Sequence, residues 1–102
     1  MRTRYLAVLT ALSICGSTAF AADNYRGRTI GAACFGCHGS GGMSGAGIPP
    51  IILGAPAAFI ESALKGFRDG SRPSTIMGRI SKGYTDEDIA AVAQYLSTRG
   101  GE

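Results

Sequence analysis

The chain contains one histidine and three cysteines in 102 residues, and no uninterrupted apolar run of the roughly 20 residues that a membrane-spanning helix requires. It also lacks any block of lysine or arginine of the kind that marks a nucleic-acid or membrane-surface partner; ten basic side chains stand against seven acidic ones and are dispersed. No stretch alternates apolar and polar residues over the length of a strand, and no segment repeats another. These absences exclude a β-rich fold, a solenoid and a membrane span, and they leave one small α-helical domain.

The hydrophobic residues that are present are unevenly placed. Arg2 and Arg4 precede an apolar stretch from Leu6 to Ile14 interrupted by Thr10 and Ser13, and Ala19-Phe20-Ala21 has the small-x-small pattern of a cleavage site. Residues 1–21 therefore read as a secretory signal peptide, directing residues 22–102 to the periplasm. A lipid anchor at Cys15 is disfavoured, because Ile14 occupies a position that lipidation sites keep small. Removal of the leader leaves 81 residues with a formal charge of +1, two cysteines and 33 of the 46 hydrophobic residues, while Gly falls only from 16 to 15. At that size an ordinary core rarely supplies more than about 3–5 kcal/mol, so a staple or a large apolar guest is expected.

Along this remainder, residues 25–33 form a short, weakly helical lead-in. Residues 39–50 (GSGGMSGAGIPP) hold five glycines and two prolines and read as a loop laid against something large. Pro56 suits the first turn of a helix with a single apolar stripe of Phe59, Ile60, Ala63, Leu64 and Phe67, ended by Gly70; Glu61 and Lys65 pair on its wet side. A last helix is expected over 86–98. Thr85 and Asp88 form its capping box, Tyr84 and Ile89 its staple, and Ile89, Val92, Ala93 and Leu96 its buried face. The fold class is all-α, with three to five short helices and long loops.

Cys34-Phe35-Gly36-Cys37-His38 carries the chemistry. C-x-x-C-H is the attachment pattern for c-type haem: one turn of helix sets two thiols on one side to form thioethers with the two vinyl groups, and the adjacent histidine ligates iron. Structural zinc needs four protein ligands, and this segment with the rest of residues 22–102 supplies three. A thioredoxin-like C-x-x-C needs a preceding strand, and a Cys34–Cys37 disulfide closes too short a loop to stabilise the domain by much. One covalent haem c accounts for the motif and for the missing core together. His38 is the proximal ligand, with its second ring nitrogen expected to donate to a carbonyl.

Two methionines remain to supply a sixth ligand. Met43 lies five residues past His38, too near to reach the opposite face easily; Met77, 39 residues on in the polar segment SRPSTIMGR, is the expected axial thioether. Arg68, Arg72, Arg79 and Lys82 surround it as candidate propionate partners, as a docking rim or as solvated charge.

With CFGCHG, IPPI and the Met77 region in place, the chain resembles the class I cytochromes c over essentially all of residues 22–102. That resemblance implies a prolyl carbonyl about a dozen residues past the histidine as its hydrogen-bond partner; Pro50 stands twelve positions on, with Pro49 its neighbour. The run from Gly66 to Leu96, with its STIMGRISKGY core, is similar to the cytochrome subunit of flavocytochrome c sulfide dehydrogenase and to the cytochrome c4 group. The resemblance implies that Cys34, Cys37, His38 and Met77 hold a haem receiving electrons from an FAD-containing flavoprotein subunit that oxidises sulfide. It implies further that a downstream redox protein accepts them, that Ile48, Ile51 and Ile52 form an apolar docking patch with the Met77 loop, and that Tyr95 packs near Gly27 and Ile30. Many members of that family carry two haem domains and this chain carries one motif. The alternatives are a free c4/c5-like carrier and a haem enzyme or sensor with an open sixth position. On the first two readings the chain is an electron-transfer protein and not itself an enzyme.

Overall fold

A helix with three glycines in its interior has little tendency to form by itself, since each costs about 1 kcal/mol relative to alanine. Yet in the computed structural model, which describes residues 16–39, 42, 50 and 52–99, the first element α1 runs unbroken from Gly16 to His38 through Gly27, Gly31 and Gly36. Its support comes from α4 (Asp86–Thr98), which crosses it. A Cβ placed on Gly27 would stand 2.4 Å from Ala91 O, and one on Gly31 would stand 2.6 Å from the Tyr95 ring. Gly27, which weakens the isolated helix, lets the two backbones meet, and Gly31 makes room for the Tyr95 ring. The short lead-in expected over 25–33 is thus part of a 23-residue helix, held by tertiary packing that no local pattern announces. Residues 1–15 of the expected leader lie outside the described residues, and the expected cleavage point after Ala21 falls within α1.

α4 forms where its local signals place it. Thr85 Oγ1 accepts from the Asp88 amide at 3.2 Å, and an Asp88 carboxylate oxygen accepts from the Thr85 amide at 3.0 Å. Asp86, Glu87 and Asp88 put negative charge at the positive end of the helix. Its buried face is Ile89, Val92, Ala93 and Leu96, each no more than 2% exposed. Val92, Ala93 and Leu96 form the core with Ile60, and Ile30, Cys34, Phe35, Leu64 and Tyr95 pack around it. Each large aliphatic group buried there contributes about 1.5–3 kcal/mol.

α2 (Ala57–Asp69) begins after Pro56, which is its N-cap and not its first-turn residue, and ends at Gly70, whose φ of +83° reverses the chain. Its apolar stripe divides. Ile60 and Leu64 join the core, whereas Phe59 is 55% exposed and, with Phe67, holds the guanidinium of Arg72. The single stripe expected from the sequence therefore serves two surfaces, because apolar periodicity alone does not say what a neighbouring loop will lay across it. α3 (Met77–Ser81) is one short turn packed on α2. Among the described residues there is no strand, and no helix is long and apolar enough to cross a membrane.

Candidate functional site

The last turn of α1 presents Cys34, Cys37 and His38, and Gly39, with φ of +89°, ends the helix directly after them. Both thiols are free. Cys34 lies half-buried with Sγ donating to Ile30 O at 3.3 Å, and Cys37 is exposed. Burial pushes the Cys34 thiol above its ordinary pKa; a hydrogen bond from the backbone amide of Cys34 itself opposes the rise, and the nearby Cys37 thiol adds to it.

His38 is 8% exposed, and its Nδ1 lies 2.7 Å from Pro50 O. A carbonyl can only accept, so the proton of this bond sits on Nδ1 and the lone pair of a neutral ring is left on Nε2. Gly42 makes the return of the chain possible. With φ of +77° its amide donates to Gly39 O at 2.8 Å and its carbonyl accepts from Ile52 at 3.1 Å, folding the segment after the helix back over its end. Three donor atoms of soft or borderline character, two thiols and one oriented imidazole, thus share one helical turn.

Met77 is carried by a separate element, as the first and half-buried residue of α3. α3 is pressed against α2 at Gly78, where a Cβ would come within 3.4 Å of Phe67 O, and the Gly78 amide donates to Ser74 Oγ at 2.9 Å. Ile76 and Ile80, one turn apart beside Met77, are 59% and 38% exposed. Two free thiols, a histidine with Nε2 available, a thioether and an uncovered apolar flank fit a covalently attached haem, whose ring buries apolar surface and whose iron takes nitrogen and sulfur ligands. Met43, Pro49, Ile48 and Ile51 lie outside the described residues.

Of the four cations around Met77, two have definite partners. Arg68 donates through Nη1 to Tyr84 O at 3.1 Å and pairs through Nη2 with the Asp86 carboxylate. That hydrogen bond and charge hold the Asp86 carboxyl below its ordinary range. Arg72 stacks between Phe59 and Phe67, its Cζ 5.4 and 5.2 Å from the ring centroids. Arg79 and Lys82 are exposed along the same cleft of about 430 Å³. Sequence reasoning named these four by proximity alone. The aromatic pair eight residues apart and the reversal at Gly70 were the available signs of the Arg72 stack. Tyr95 sits against Gly27 and Gly31, beside the expected crossing.

The family model for cytochrome c matches residues 25–100. Among individual relatives, the chain is 49% identical over 71 residues to the cytochrome subunit of sulfide dehydrogenase of Chlorobaculum tepidum, an alignment covering 70% of this chain and 64% of that protein. It is 39% identical to cytochrome c-554(548) of Halomonas halodenitrificans, covering 65% of this chain and 83% of the relative, and 35% identical to cytochrome c-553 of Nitratidesulfovibrio vulgaris, covering 88% and 95%.

Proposed function

The chain belongs to the cytochrome c family of electron-transfer proteins, which carry covalent haem c, and from that premise we propose that it holds one haem at Cys34, Cys37, His38 and Met77 and accepts electrons as the cytochrome subunit of a flavin-dependent sulfide dehydrogenase. The observation that carries the site is the hydrogen bond from His38 Nδ1 to Pro50 O, which orients the imidazole and leaves Nε2 free to ligate. Haem c supplies a one-electron couple when bound. Cys34 and Cys37 would tether it as thioethers, His38 would supply a nitrogen donor to the iron, and Met77 would supply a sulfur donor that raises the potential. Residues 1–21 direct export to the periplasm and are removed.

The sulfide dehydrogenase assignment is supported by the 49% identity to a subunit of that enzyme, higher than to the single cytochromes compared. The near full-length match to cytochrome c-553 favours a second reading, a free diffusing carrier. Acid extraction of the purified protein tests attachment: haem is expected to stay with the polypeptide, and release into the organic phase refutes the thioethers. The sulfur-to-iron charge-transfer band of the oxidised protein is expected to vanish in Met77→Ala and persist in Met43→Ala; rapid carbon monoxide binding by the reduced wild type argues instead for an open sixth position. Purification from the native host separates the first two readings, since a flavoprotein should co-elute with the subunit and a monomeric profile without one leaves the free carrier.

A further inference from the structure

The segment that carries Met77 is fastened at both ends to the same helix by two arginines. On its N-terminal side, Gly70 turns the chain back and the Arg72 amide donates to Gly66 O at 3.0 Å. Gly66 permits this approach, since a Cβ there would lie 3.1 Å from that of Arg72. The Arg72 guanidinium then lies between Phe59 and Phe67, so the incoming strand of the loop is pinned along two turns of α2. On the C-terminal side, Arg68, in the last turn of α2, reaches past α3 to Tyr84 O and Asp86, the residues that close the turn into α4. Between the two fastenings Gly78 seats α3 against α2, a Cβ there standing 3.4 Å from Phe67 O.

We propose that Arg68 and Arg72 are positioning residues that bracket α3 and so govern how firmly Met77 is held as the sixth donor; this rests on the reading of Met77 as that donor. A five-residue helix without a side-chain cap has little stability of its own. Its residence beside the haem is therefore set by what ties its ends. Arg suits both sites: the fork spans a carbonyl and a carboxylate at once, and the flat guanidinium fits between two rings, neither of which an ammonium reproduces.

The test uses the oxidised, haem-loaded protein with added imidazole as the competing ligand, alongside hydrogen exchange of the Gly78–Ser81 amides. Arg68→Gln and Arg72→Gln are each expected to tighten apparent imidazole binding by about threefold to tenfold, the factor carried at Arg68 by one or two ordinary hydrogen bonds and at Arg72 by a pair of cation–π contacts. They should speed exchange in α3 by a similar factor while the amides of Val92, Ala93 and Leu96 keep their protection. Arg68→Lys, retaining charge but not the fork, should fall between wild type and Arg68→Gln and guards against a variant that does not fold. The proposal is overturned if imidazole affinity is unchanged in a protein whose charge-transfer band depends on Met77, or if exchange rises equally in α4. A wild type without that band refutes the ligand assignment itself, and with it this proposal.

Discussion

Gly27→Ala and Gly36→Ala place the same methyl group in the same helix and should move stability in opposite directions. At Gly27 the new Cβ would sit 2.4 Å from Ala91 O and 2.9 Å from Ala91 C, with Tyr95 Cβ at 3.1 Å, where ordinary contact begins near 3.4 Å. The oxygen and carbon belong to the backbone of α4, so no rotamer change relieves the overlap; α1 and α4 must separate by about 1 Å along their contact. Overpacking of this kind costs typically about 1–3 kcal/mol. Against it stands the helix-propensity gain of alanine over glycine, about 0.8–1 kcal/mol. The overlap is a rigid one, so the upper half of the overpacking range applies and a net loss of about 1–2 kcal/mol remains. For a domain of this size each kcal/mol moves the melting temperature by about 4–8 °C, giving a fall of about 4–16 °C. At Gly36 nothing lies within 4 Å of the added Cβ, and only the propensity gain operates, raising the midpoint by about 4–8 °C. Thermal unfolding of the haem-loaded protein followed by far-UV circular dichroism reads both. Stabilisation by Gly27→Ala, or a fall at Gly36 matching that at Gly27, would refute the argument that close backbone approach places glycine in α1.

Other consequences follow from single contacts. Thr85→Ala removes half of the capping box and should lower stability by about 1 kcal/mol, read as a drop of about 4–8 °C in melting temperature. The Asp88 carboxyl is held below its ordinary range first by the hydrogen bond from the Thr85 amide, and Asp86 by Arg68. Their folded pKa values are depressed, so the stability they add is complete above the unfolded value of about 3.9 and is lost as pH falls through the lower folded values. Melting temperature measured against pH should therefore decline below about pH 4, and Asp88→Asn should flatten that decline. Ser81 Oγ is fully buried and, among the described residues, has no hydrogen-bond partner. Ser81→Ala should raise stability by about 1 kcal/mol in a urea titration, and a loss of that size would show that the hydroxyl is paired in the loaded protein.

The elements that were legible in the sequence are those whose information lies within one or two turns of chain. The α4 boundaries follow from Thr85, Asp88 and the spacing of Ile89, Val92, Ala93 and Leu96, because a cap and an amphipathic face are local properties. The C-x-x-C-H turn is likewise a local signature, since adjacent residues on one helical turn have fixed relative positions whatever surrounds them. What only the tertiary structure decided depends on chain reversals. Pro50 O meets His38 Nδ1 because Gly39 and Gly42 fold the loop back; Arg72 enters the Phe59–Phe67 pair because Gly70 returns it along α2; α1 exists as a long helix because Ala91 and Tyr95 lie against its glycines. In the first two cases the partners are separated by a reversal whose direction is set by positive φ; in the third they are separated by two helices and meet through packing. Residue spacing supplies the groups, and the closure of the chain selects which of them touch.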